Sequence, residues 1–305
     1  MPTNQVHTSP HRHLLSFLLL PMLCGLSLLL SFSAVPAGSL PHQIGALSAQ
    51  GHWTEWTGNT APTFASCEAQ LHIPCYTPQL FRQAYDLTPL TNMGFTGKGQ
   101  TIVIIDSFGS PTALSDLQQF DAAYGLPDPP SFQQLAPIGS VPFDPTNADQ
   151  RGWAEETSLD VQWSHAMAPD ANIVVLTSPV SETQGVQGMP QFLQLEQFAL
   201  DHHIGKIISQ SWGTTENTLF TPDGEKVLNG FNDFYRRAAL SGVSVFASAG
   251  DAGTGNPDVN GNIFPFPTVG FPASSPWLTA VGGTSLFTDA NGNYQNETVW
   301  NDGVG

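Results

Sequence analysis

Residues 101–125 read TIVIIDSFGSPTALSDLQQFDAAYG. The opening TIVIID is a short, continuous apolar run rich in β-branched residues, the pattern of a strand covered on both faces. ALSDLQQFDAAYG then spaces Leu114, Leu117, Phe120 and Ala123 at helical intervals and stops at Gly125. Outward from this βα unit the pattern repeats. RGWAEETSLDVQWSHAMAP (151–169) reads as a helix ended by Pro169, and NIVVLTS (172–178) as a strand. PQFLQLEQFALDHH (190–203) reads as a helix, KIISQSW (206–212) as a strand, a segment near 224–241 as a helix and VSVFASAG (243–250) as a strand. Apolar strands alternating with helices predict an α/β fold, a parallel sheet flanked by helices. The stretch from Trp277 to Trp300 predicts a strand followed by a hairpin turning at Asn291-Gly292. No internal repeat is present.

Composition narrows the function. The 305 residues carry 8 Lys plus Arg against 25 Asp plus Glu, a formal charge of -17, which repels nucleic acid and anionic membranes. Residues 14–32, LLSFLLLPMLCGLSLLLSF, follow Arg12 and precede AVPAGS. They predict a secretory signal peptide over 1–37 with a Val35-x-Ala37 cleavage site, an uncleaved anchor being the alternative. A secreted, extracellular monomer without stable membrane association is expected. Residues 38–74 predict a short irregular segment. In an oxidising compartment Cys67 and Cys75 are expected to form a disulfide. With no CxxC, no HExxH and no zinc-ligand spacing, no metal site is predicted.

Ligands of open parallel sheets bind beyond the carboxyl ends of the strands, which directs attention to three places. Glu156 and Asp160 lie four residues apart and share a helix face. They are either a solvated acidic surface or a coupled acid/base pair with a raised proton affinity. Asp251, in SAGDAG (248–253) after a strand, is either a turn former or a protonated donor to an oxyanion. Asp106 ends TIVIID, where acids often bind ligands or assist catalysis. His165 precedes the end of a helix and reads as structural, and neither GxSxG nor GxGxxG occurs.

Taken together, CYTPQLFRQAY, GKGQTIVIIDSFGSP, LQQFDAAYGLP, EETSLDVQWSHAMAPDANIVV, ISQSWG, VSVFASAGDAG and FPASSPWLTAVGGTS resemble, in order, the landmarks of the sedolisin family of serine-carboxyl peptidases, acid-active relatives of the subtilisins. The resemblance covers residues 75–305. It implies a subtilisin-like sheet, incomplete at its carboxyl end, and the hydrolysis of polypeptide substrates by acyl transfer. Glu156 would be the general base, Asp160 its partner and Asp251 the oxyanion donor, with Ser211, Trp212, Gly213, Ser248 and Gly250 along the substrate cleft. Asp106 matches a position outside the triad and is kept as structural. The resemblance places the nucleophile in a Gly-Thr-Ser motif beyond residue 305, so Ser285 in VGGTSL is rejected and the 305-residue chain alone is expected to be inactive. A calcium loop, expected in the complete domain, would lie there too, leaving no cofactor in this chain. The resemblance also implies a large propeptide, for which the short span between the signal segment and the landmarks is expected to leave no room, and Ala249 and Ala252 stand beside Asp251 where serines are commoner. The alternative is a noncatalytic peptide-binding relic.

Overall fold

The computed structural model describes residues 60–300. The signal segment and most of the lead-in lie outside them. Three short helices come first: α1 (Phe64–Leu71), α2 (Pro78–Ala84) and α3 (Thr88–Asn92). The central domain follows as β1 (Thr101–Ser107), α4 (Ala113–Tyr124), β2 (Phe132–Leu135), α5 (Ala148–Met167), β3 (Asn172–Ser178), α6 (Met189–Asp201), β4 (Ile207–Gln210), β5 (Thr214–Thr215), α7 (Pro222–Leu240) and β6 (Ser244–Ser248). The chain then forms β7 (Gly270–Phe271), β8 (Thr279–Val281) and the hairpin β9 (Thr284–Thr288) and β10 (Tyr294–Val299).

Six strands make one sheet in the order β2-β3-β1-β4-β6-β8, and every pairing in it is parallel. Side chains alternate across β1 and separate two cores. Ile102 and Ile104 pack with Ile173, Val175, Leu117 of α4 and Val161 of α5. Val103 and Ile105 pack on the other face with Phe192 and Leu195 of α6 and Phe231, Phe234 and Tyr235 of α7. On the α5 face this cover ends at β4. Phe246 of β6 is 36% exposed and Val281 of β8 is 50% exposed, so the floor of the sheet is open there.

The expectation of an irregular segment over 38–74 is corrected at α1. Thr63 caps this helix, its hydroxyl accepting from the Ser66 amide at 3.1 Å, and Cys67 at its centre is joined to Cys75 by a disulfide that closes a small apolar cluster with Leu71 and Ile73. β2 also departs from expectation. Its sequence FQQL is half polar and sits among prolines, yet it pairs with β3 as an edge strand, which needs only one covered side. Among the described residues no helix is long and apolar enough to cross a membrane.

Candidate active site

A crossover helix runs back against its strands, so the amino-terminal half of α5 lies beside their carboxyl ends. Asn147 caps α5, its side-chain oxygen accepting from the amides of Asp149 and Gln150. The helix then presents Glu156 and Asp160 one turn apart on its sheet-facing side. Glu156 is 8% exposed and Asp160 half-buried, so this face is not a solvated surface. Ser211, just past β4, donates to Asp160 Oδ2 at 2.8 Å and also acts as a hydrogen-bonding partner of Glu156. Asp106, the sixth residue of β1, is wholly buried on the same side.

Carboxyl groups thus face carboxyl groups, and Asp160 raises both Glu156 and Asp106. Burial pushes Glu156 up to about 9, reinforced by the charges of Asp160 and Asp106 and, in smaller measure, Asp251; only the Ser211 hydroxyl opposes it. Burial lifts Asp160 to about 6, again against the Ser211 hydrogen bond. Asp106 is held well above the usual carboxylate range by burial and by Asp160, with Thr157 opposing and Glu182 adding to the rise. Such groups share protons as a set, and the cluster stays partly neutral far above the ordinary carboxylate range.

Asp251 enters from a different part of the chain. Gly250 before it has φ +88° and Gly253 after it φ +55°, backbone that glycine adopts without strain. The resulting turn leaves β6 sharply and brings Asp251 within electrostatic reach of Glu156. Ser248 is the last residue of β6, and the Ala249 amide donates to Val281 O at 2.8 Å, tying this turn to β8.

The expected cleft residues separate on inspection. Ser211 joins the carboxyl cluster. Trp212 does not line a cleft with its side chain: the ring is fully buried and stacked on Phe192, centroids 4.2 Å apart, because alternation turns it to the α6 and α7 face. Gly213 lies where a Cβ would come within 2.8 Å of Phe271 O, so no larger residue fits without movement. Ser285 is on β9, opposite Thr298 of the hairpin. His165 is buried away from the cluster, its Nε2 2.7 Å from Pro127 O and 3.4 Å from Asp121 Oδ1.

Of the carboxyl groups near the site, Asp106 is assigned no catalytic role by the sequence reading and Glu182 is not singled out at all. Asp106 is kept there as structural, but the structure turns it toward Asp160; its place two and four residues after Ile104 and Ile102, which pack on the α5 side, is the signal that assigns its face. Glu182 lies in the loop between β3 and α6, where no periodicity marks it. Among the described residues no group of three or more His, Cys, Asp or Glu is arranged to hold a metal ion.

The fold and the site define a class: a parallel α/β domain that gathers carboxyl groups, rather than imidazole, around a serine at the ends of its strands. The chain is 33% identical over 257 residues to kumamolisin of Bacillus sp. (strain MN-32), across 84% of this chain and 40% of that protein. It is 32% identical over 252 residues to sedolisin of Pseudomonas sp. (strain 101), across 81% and 39%, and 30% identical over 213 residues to human tripeptidyl-peptidase 1, across 69% and 34%. Among solved structures it resembles Pseudomonas sedolisin, a serine-carboxyl proteinase complexed with two molecules of pseudo-iodotyrostatin, with a TM-score of 0.61 and 30% identity over 75% of this chain and 59% of that one. No family model matches. The chain belongs to the sedolisin family of serine-carboxyl peptidases. It spans about two fifths of the length of the first two relatives.

Proposed function

We propose that the chain contributes the acid-base half of a secreted serine-carboxyl endopeptidase that cleaves polypeptides at acidic pH, with the attacking serine supplied by sequence outside residues 60–300. The observation that carries this reading is the convergence of Asp251 on Glu156 from a turn 95 positions away, beside a pair already bridged by Ser211. A solvated acidic face would need no such convergence.

In this reading Glu156 takes the serine proton, Asp160 orients and tunes Glu156, and Asp251, protonated, donates to the developing oxyanion. A pair held protonated this strongly can act as a base only in the form that has lost one proton. Burial raises both Asp160 and Glu156, so the pair as a unit gives up one proton well before the other. The pair then shares one proton, which passes between the two oxygens as the serine attacks. The oxyanion donor must keep its own proton, so activity falls again as pH rises. Histidine cannot do this work in acid, where imidazole is fully charged.

The test is hydrolysis of a fluorogenic peptide at about pH 4–7 by the product of the complete reading frame that encodes this chain. Glu156→Gln is expected to lower kcat/KM by about 10³ or more, and Asp251→Asn by about 10²–10³. Retention of activity within tenfold in Glu156→Gln, or a rate that rises steadily into alkali, overturns the reading.

A further inference from the structure

Glu182 is 1% exposed; its own amide and that of Gly213 approach its carboxyl group without reaching full hydrogen-bond geometry, and no side chain bonds to it. Leaving a carboxyl group in such a place costs free energy unless the surroundings use it. The mechanism above does not.

The loop that carries it, residues 179–188, is strapped down on three sides. Ser107 at the end of β1 and Ser178 at the end of β3 both donate their hydroxyls to Val180 O, at 2.9 and 2.6 Å. Ser181 donates to Asp149 Oδ2 in the first turn of α5 at 2.6 Å. On the third side Gln184 Oε1 accepts from the Thr215 amide at 2.9 Å and from the Thr214 hydroxyl at 3.2 Å, and the Gly185 amide donates to Thr214 Oγ1 at 2.8 Å. Gly188 closes the loop on itself: at φ +83°, a Cβ there would lie 2.8 Å from Glu182 N. The loop therefore buttresses the segment Ser211–Thr215 from behind, with Glu182 enclosed between them.

The groups that act on the Glu182 carboxyl come from each packed element. They are its own amide, the Gly213 amide and the carboxylate of Asp149, and it faces Asp106 on β1, itself coupled to Asp160. Both titratable neighbours are acids, so an ionised Glu182 meets an acid rather than a cation on either side. Burial and Asp149 push it up to about 8, against the two amides.

We propose that Glu182 is a positioning residue: as a neutral acid it lets loop 179–188 close against Gly213, and its ionisation forces the loop to admit water and releases the Ser211–Thr215 segment. This rests on the reading of Ser211 and Gly213 as the rim of the substrate cleft only for its effect on catalysis; the structural claim stands apart from it. The rim is then rigid in acid and loosened as pH rises toward the Glu182 midpoint.

Amide hydrogen exchange of the full chain, expressed as protection factors from about pH 5 to 9, tests this. In the wild type, protection of residues 213–215 is expected to fall by about tenfold per pH unit between the ordinary carboxylate range and the Glu182 midpoint, and to level off above it. Glu182→Gln, the neutral isostere, is expected to hold that protection flat, and Glu182→Ala to lose it at every pH. Should Glu182→Ala not fold, the wild type against Glu182→Gln decides. In the wild type alone, the Gly213 amide signal must titrate with the carboxyl carbon of Glu182. A Glu182→Gln profile that tracks the wild type, or separate midpoints for Gly213 and Glu182, overturns the proposal. In the complete gene product Glu182→Gln should also remove part of the neutral-side rise in KM while leaving kcat in acid within about twofold. Absence of peptidase activity with the exchange result intact would count against the functional reading and not against this one.

Discussion

Gln210 and Ser211 are neighbours in sequence and serve two buried carboxyl sites on opposite faces of the sheet. Gln210 points to the α6 and α7 side, where its amide and the Tyr235 hydroxyl, 3.0 Å away, both donate to Glu196 Oε1. Ser211 points to the α5 side, where it meets Asp160 and Glu156. Both sites hold acids far above their ordinary range, and burial is the leading cause in each. They differ in company. Glu196 is surrounded by neutral donors that favour one fixed arrangement, whereas Glu156, Asp160 and Asp106 face one another. A raised proton affinity by itself therefore does not mark a reactive centre; what sets Glu156 apart is that Asp160, Asp106 and a serine hydroxyl meet around it.

The largest expected effect treats the two sites alike and tests what they share. The folded-state values of Asp160, Asp121, Glu182 and Glu156 stand at about 6, 7, 8 and 9, above those of an unfolded chain at about 4. Groups raised in this way contribute stability that is complete below about pH 4 and is lost as pH climbs through the folded values, at about 1.4 kcal/mol per pH unit for each proton involved. Thermal unfolding followed from about pH 4 to 9 should therefore show Tm highest near the acid end and falling as pH rises from there, most steeply below about pH 6, where all four groups contribute. A maximum above pH 7 would mean that these acids are not held neutral in the folded chain.

Glu196 then separates the two sites. Glu196→Ala removes the acceptor of two buried donors and leaves a cavity, with an expected loss of about 3 kcal/mol in urea unfolding at about pH 5. Glu196→Gln should fold as well as the wild type in acid and surpass it near pH 8, because it has no proton to lose. If Glu196→Ala moves the Asp160 midpoint as far as Ser211→Ala does, the two faces are not independent.

Ser211→Ala is the smallest change. It deletes the hydrogen bond that lowers both members of the pair, so the Asp160 carboxyl carbon should titrate at higher pH, with a stability change of about 1 kcal/mol. An unchanged midpoint would show that the hydroxyl does not tune the pair.

The framework was legible because its strands announce themselves. TIVIID and NIVVLTS are apolar through and through, as β1 and β3 must be when helices cover both faces. β2 was not legible, since an edge strand flanked by prolines carries little of that signal. In the site, Glu156, Asp160 and Asp251 could be picked out by their motifs, but spacing did not reveal that α5 and the turn after β6 meet. The resemblance puts Trp212 along the cleft beside Ser211, but alternation sends neighbouring side chains to opposite faces and its ring lies against Phe192. Glu182 depends on a loop path made by hydrogen bonds to three separate elements, and no local pattern encodes such a path.

The strand order also sets a timetable for the nascent chain. β1 is the spine of the sheet, yet Ile102 pairs on one side with Ile173 and on the other with Ile207, 105 positions later. At a synthesis rate of about 5–20 residues per second, β1 emerges about 5–20 s before its second neighbour exists. During that interval its row of isoleucines and valines has a bare edge, and contacts this distant in sequence close slowly even once both strands are present. The most apolar segment of the domain is thus also the one left waiting longest, which makes the newly made chain a natural client for a chaperone until β4 arrives.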